Sequence, residues 1–178
     1  MLLPICKYGN EVLRERATPV GFVDENIQKL AADMLDTMYA AKGVGLAAEQ
    51  VGRTERLCVI DIPPDCEKEQ YRERNAAISM PLVLINPEIL SSEGEQRGDE
   101  GCLSFPGIGA KVTRAETVTV TYLDLQSQRQ TITVSGLLAR CVQHELDHLD
   151  GVVFIDKLSS VQKLTIASKL KKLAKENK

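Results

Sequence analysis

The chain has 178 residues, 43% of them hydrophobic, 26% charged and 4% aromatic, with a formal net charge of −3. That balance suits one compact folded domain over residues 1–178, excludes a disordered chain, and lacks both the basic surplus and the aromatic supply of a nucleic-acid-binding core. Five cysteines, an odd number without close-spaced pairs, argue against a disulfide framework and for a reducing compartment in which the thiols are free or metal-bound.

The N-terminal run Met1-Leu2-Leu3-Pro4 has no basic segment before it and is broken by Pro4, so it does not read as a signal peptide. No apolar stretch approaches bilayer-spanning length, and a cytoplasmic protein is expected. Asp24 is placed to cap a helix whose apolar positions Ile27, Leu30, Ala31, Met34, Leu35 and Met38 recur every three or four residues. Its end falls near Lys42-Gly43, with Gly43 suited to a left-handed cap and Val44-Gly45-Leu46 free to pass close to a ligand or another backbone. Leu57 to Ile60 reads as a buried strand, and Leu82 to Pro87 as another that Pro87 terminates. Residues 63–81 between them are polar and turn-rich and read as a surface insertion. Glu116 to Tyr122 and Gln130 to Val134 alternate as strands of a hairpin turning through Asp124 to Gln128. Ser135 then caps a helix running from Gly136 or Leu137 to Leu149, with Gly151 at its exit. Leu137, Leu138, Cys141, Val142, Leu146 and Leu149 give that helix a wide apolar surface, so it belongs inside the domain. Residues 159–178 form a basic amphipathic helix with Val161, Leu164, Leu170 and Leu173 facing the protein. With no linker or repeat, the fold class is α+β: antiparallel or mixed sheets around a central helix, with an N-terminal and a C-terminal helix.

The central helix carries the chemistry. His144 and His148 are the only histidines, and residues four apart on a helix are separated by about 400° of rotation and roughly 6 Å of rise, so both imidazoles face one point. One divalent metal can take both, while Glu145, about 100° around the helix, can reach a water beside it. The competing reading is a surface helix with solvated His, Glu and Asp. A three-ligand catalytic site needs one more donor. Asp150 abuts the helix end and Glu176 falls in the charged tail. Cys102, in the irregular stretch from Glu100 to Gly107, is the better third ligand, against the commoner fate of a lone cysteine as a small buried thiol. In this scheme Glu145 acts first as general base and then as general acid.

Three blocks now carry a resemblance: Gly43-Val44-Gly45-Leu46-Ala47-Ala48-Glu49-Gln50, Glu100-Gly101-Cys102-Leu103-Ser104, and Gln143-His144-Glu145-Leu146-Asp147-His148. In this order they resemble the peptide deformylase family, a likeness running from about Val12 to about Ser159. The resemblance implies removal of the formyl group from the N-terminal methionine of nascent polypeptides, with release of formate. It implies that the Gln50 side-chain amide and the Leu103 backbone N–H meet the carbonyl oxygen. It also implies that the methionine side chain enters a pocket near Val44 and Leu137, with Arg140 at its rim. The strand-like Gly43 to Gly45 segment is expected to pair edge-on with the substrate, the small Gly45 permitting the approach. Cys/His/His donors favour zinc by chemistry, whereas the resemblance favours Fe(II), with Ni(II) or Co(II) accepted. Asp147 is read either as an acceptor orienting a ligand histidine or as a structural group, and Glu100 as a partner of Arg114 beside the cysteine loop. Lys163, Lys169, Lys171, Lys172, Lys175 and Lys178 suggest a ribosome contact, against a solvated terminal helix. A monomer is expected. Two other classes stand beside this one: a zinc endopeptidase, which lacks its downstream ligand here, and a noncatalytic metal-stabilised module, which leaves Glu145 and Gln50 without a purpose.

Overall fold

The computed structural model describes residues 1–177; Lys178, the last lysine of the basic tail, lies outside them. The described residues form seven strands, β1 (Gly45–Ala47), β2 (Leu57–Ile60), β3 (Leu82–Glu93), β4 (Gln96–Gly101), β5 (Gly109–Arg114), β6 (Thr117–Leu123) and β7 (Arg129–Ser135), and four α-helices, α1 (Glu25–Ala40), α2 (Glu69–Arg74), α3 (Gly136–Leu149) and α4 (Ser160–Glu176). The architecture is α+β. One five-stranded sheet has the order β1-β2-β3-β6-β7, β4 and β5 make a separate two-stranded ribbon, and every ladder is antiparallel. No described helix is long and apolar enough to cross a membrane.

Strand β2 shows why the central sheet reads as an unbroken apolar run. Leu57 and Val59 face α1, packing with Ile27, Leu30, Met34 and Met38, whereas Cys58 and Ile60 face α3, packing with Leu138, Val142, Leu146 and Leu149. A strand covered on both faces has no solvent side to alternate with. The two helices thus hold the sheet from opposite sides, and α3 lies with its apolar stripe on the core and its histidines turned toward the β4–β5 ribbon. A third cluster, built on Phe105, Phe154 and Ile155, receives α4.

Helix α1 begins as read, with the Asp24 side chain accepting from the Ile27 N–H. Its exit differs in detail. Lys42, not Gly43, adopts the left-handed conformation, at φ 59°, and the N–H groups of Lys42 and Gly43 return to Tyr39 and Met38 in a Schellman closure. Gly43 is small for another reason: a Cβ there would lie 2.6 Å from Leu103 Cδ1. The second strand also departs from expectation, since β3 continues past Pro87. A register shift between Ile85 and Glu88 absorbs the missing donor, and Asn86, at φ 50°, leaves the ladder to bind Val20 through its side chain.

Helix α4 turns Leu170 and Leu173 inward as expected, but not Val161 and Leu164. Ile166 and Leu173 are buried with Leu170 against them, one stripe at spacings of four and three, while Val161 and Leu164 are 71% and 76% exposed. The two exposed residues sit more than 130° around the helix from Ile166 by rotation of about 100° per residue. The β4–β5 ribbon had no apolar alternation in its first strand to announce it; pairing makes it.

Candidate active site

Cys102 follows the end of β4, and its sulfur and one ring nitrogen each from His144 and His148 all lie within 4.8 Å of one another. The Cys102 Sγ to His148 Nε2 distance is 3.3 Å, close to the separation of about 3.5 Å that two ligands of a tetrahedral ion adopt. His144 presents its Nδ1 to Glu100 Oε1 at 2.7 Å, which leaves Nε2 for a metal. The donor set therefore fits a divalent ion, and the solvated-helix reading fails because both histidines and Glu145 are buried. Burial, with the neighbouring His144, pushes His148 well below the usual imidazole range, keeping it neutral as a ligand must be. Burial works against charge on His144, but its neighbours Cys102 and Glu100 and the charge of Glu145 raise it to about 10, so a cation binding there displaces a proton.

Behind His144 the interior is polar and fully paired. Glu100 accepts from Arg114 Nε at 2.5 Å and Nη2 at 2.8 Å, from Arg140 Nη1 at 2.7 Å, and from His144. Arg114 reaches on to Asp147 Oδ2 at 2.8 Å, and Arg140 also donates to the Val112 carbonyl at 2.9 Å. Although burial opposes it, hydrogen bonds from His144 and Arg114 and the charges of both hold Glu100 well below the usual carboxylate range. The expected Glu100–Arg114 pair is thus present, and Glu100 rather than Asp147 orients the histidine. Arg140 lines the cleft, with its guanidinium committed to Glu100 and to the backbone carbonyls of Val112 and Gln96. Only the Glu100–Arg114 pairing was legible in the sequence; the bond to His144 joins β4 to α3.

On the opposite side, two buried carboxyls have oxygens without a partner among the described residues. Glu145 is buried with Oε2 free of any partner, and burial raises its carboxyl to about 7. Gly45 packs directly on it, since a Cβ at that position would lie 2.5 Å from Glu145 Oε1. Smallness at Gly45 is therefore required by the carboxylate, whatever it permits a substrate to do. Gln50 is buried, not the surface residue a lone glutamine would suggest. Its Oε1 accepts the Ala47 N–H at 2.9 Å, which turns Nε2 toward Cys102 Sγ at 3.4 Å and Ser104 Oγ at 3.1 Å. Ser104, which helps hold this amide, was not foreseen. No hydrogen bond to the Leu103 N–H is found among the described residues. Glu49, 0% exposed and without a partner among the described residues on either oxygen, was also missed; burial raises it to about 8.

These groups open onto a cleft of about 350 Å³ lined by Val44, Gly45, Gln50, Leu103, Leu137, Arg140, His144 and Glu145, among others. The residues read as metal ligands, catalytic groups or substrate contacts all line it except His148, which is buried with Nδ1 without a partner among the described residues. A buried carboxyl and an amide donor converge beside a three-donor metal group, an arrangement suited to adding water to a carbonyl.

Residues 2–164 match the family model described as polypeptide deformylase. The peptide deformylase of Neisseria gonorrhoeae is 48% identical over 174 residues, covering 98% of this chain and 97% of that protein. That of Endomicrobium trichonymphae is 46% identical over 173 residues, covering 97% and 96%. Among solved structures, the peptide deformylase of Legionella pneumophila superposes with a TM-score of 0.84 at 44% identity, covering 99% of this chain and 97% of its own. The Thermus thermophilus enzyme gives 0.85 at 39% identity and 99% of both chains.

Proposed function

The chain belongs to the polypeptide deformylase family, a hydrolase family acting on formylated nascent peptides, and from that premise we propose how its own residues remove the formyl group. Cys102, His144 and His148 would hold one divalent ion. When bound, such an ion supplies Lewis acidity that lowers the pKa of water to near neutrality and thereby provides the nucleophile. Glu145, held buried against Gly45, takes the proton from that water and returns it to the departing amine, the role its carboxyl near 7 suits. The Gln50 Nε2 donor, already aimed by Ala47 and Ser104, and the unengaged Leu103 N–H stabilise the negative charge that develops on the formyl oxygen. Because the Leu103 donor is backbone, Leu103→Ala keeps it. Val44, Gly45 and Leu137 bound the space for the methionine side chain, and Arg140 acts through Glu100.

The observation that carries this reading is the buried Glu145 carboxylate, unpartnered on one oxygen beside the Cys102/His144/His148 group. A structural metal module has no use for such a group. The test is formate release from a formyl-methionyl peptide by anaerobically prepared protein, with Glu145→Gln as control. Release by the wild type alone supports the scheme, and equal release by both would remove Glu145 from it.

We propose Fe(II) as the working metal, on the resemblance; equal turnover after anaerobic reconstitution with iron and with zinc would refute it. The lysines of α4 are proposed to dock on the ribosome. Salt-sensitive co-sedimentation that survives truncation after Leu158 would exclude them. We place the enzyme in the cytoplasm as a monomeric single domain, checked by cell fractionation and light scattering.

A further inference from the structure

The polar stretch 63–81 does more than cover surface. It folds as a 3₁₀ turn, Pro64–Cys66, and the short helix α2, and it crosses the N-terminal end of α3. Ser135, expected to cap α3, makes no side-chain cap bond; its hydroxyl pairs with Thr117 Oγ1 at 2.8 Å. The first-turn donors are instead taken by Glu67, whose Oε1 accepts the Leu137 N–H at 3.0 Å and whose Oε2 accepts the Leu138 N–H at 3.1 Å. Two orphan donors and the positive end of the helix dipole are thus satisfied by one carboxylate from about seventy residues upstream in the chain. Asn75 fastens the same point, donating from Nδ2 to the Ser135 carbonyl and accepting the Ser135 N–H, both at 3.0 Å. Gly136, at φ 66°, is fitted to the strap: a Cβ there would lie 2.6 Å from Glu67 Oε1 and run into the Tyr71 ring.

What the strap holds decides its meaning. Leu137 lines the cleft beside Val44 and Glu145, while Leu138 is buried in the core. A carboxylate bound to both consecutive N–H groups fixes the rotation of that first turn, and with it the direction in which Leu137 projects. We propose that Glu67 is a positioning residue for the substrate pocket, holding the first turn of α3 so that Leu137 walls the cleft, and that residues 63–75 belong to the specificity apparatus. The inference rests on the deformylase reading of the cleft.

The experiment compares metal-loaded wild type with Glu67→Ala, Glu67→Gln and Glu67→Asp, each also in a Leu137→Ala background. It records melting temperature, bound metal, and formate release from formyl-methionyl and formyl-alanyl peptides. Glu67→Ala should raise KM for the formyl-methionyl peptide about fivefold with kcat within about twofold, and narrow the preference for methionine over alanine. Glu67→Gln, which keeps one acceptor, should fall between it and wild type, and bound metal should not change. In the Leu137→Ala background the KM effect of Glu67→Ala should vanish, because the two residues act in series. A lower melting temperature with unchanged KM and preference would overturn the proposal, as would a KM effect that persists without the Leu137 side chain. Should Glu67→Ala not fold, Glu67→Asp, which retains the charge but cannot span both donors, carries the same comparison. An active wild type with unaffected variants removes only this proposal, whereas an inactive wild type removes the deformylase reading and this proposal with it.

Discussion

The two sides of the metal helix are built on opposite principles. Behind His144, every charge is answered: Glu100 binds two arginines and the histidine, and Arg114 passes on to Asp147. Toward Gly45 and β2, two carboxyls, Glu145 and Glu49, are buried among apolar groups with three oxygens unpartnered between them. The paired side spends its interactions on geometry, fixing one imidazole and one cysteine-bearing strand end. The unpaired side keeps carboxyls whose charge the interior does not favour, which is what a proton carrier near neutral pH requires. Rigidity and reactivity are therefore separated across a single helix.

Breaking the reactive side directly gives the largest effect. Glu145→Gln preserves shape and removes the proton acceptor, so kcat should fall by about 10³-fold while bound metal is retained, as rapid-quench assay and metal analysis would record. Comparable activity in the mutant would mean that the unpaired carboxyl is not the proton carrier.

Breaking the paired side should damage stability first. Glu100→Ala leaves Arg114 and Arg140 buried with only part of their partners, at a cost of about 3 kcal/mol, and frees His144 Nδ1, so metal should be lost together with stability in denaturant titration. The same side predicts an acid limb. The Glu100 carboxyl is held below its unfolded range, so its contribution is complete above the unfolded value of about 4.5 and is lost as pH falls through the lower folded value. Stability of Glu100→Ala should accordingly be flatter than wild type below that pH.

Glu49 gives a change of similar size and opposite sign. Its folded value of about 8 lies above the unfolded 4.5, so the unfolded chain ionises first and the fold loses stability as pH rises from 4.5 to about 8. Glu49→Gln should be neutral at pH 4.5 and gain about 3 kcal/mol at pH 7, 2.5 pH units higher, measured by urea unfolding at both values. An equal effect at both would show that the carboxyl is not held neutral in the fold.

The same contrast explains what could be read from the linear chain. His144, Glu145 and His148 were legible because helical geometry converts spacing into a shared face, and local periodicity marked α1, the β6–β7 hairpin and α3. Glu100 was half-legible: its pairing with Arg114 was expected, while its bond to His144 links two elements forty-four residues apart. The β4–β5 ribbon, the Glu49 environment and the Glu67 strap left no periodic mark at all. The face of α4 was half-legible: Leu170 and Leu173 pack inward as read, with Ile166 completing the stripe, while Val161 and Leu164 are apolar yet exposed.

What the sequence alone determined is whatever the covalent chain repeats at fixed rise and rotation: the helix with its two imidazoles, the alternating strands, the ordered blocks that mark the family. What only the tertiary structure decided is which charges are neutralised. The carboxylates of Glu100, Glu145, Glu49 and Glu67 are identical in the chain and differ only in what packing brings to them: three cationic groups, an apolar wall, no partner, or a helix end. Burial and pairing are properties of neighbours distant in sequence, and they set the work each carboxylate does.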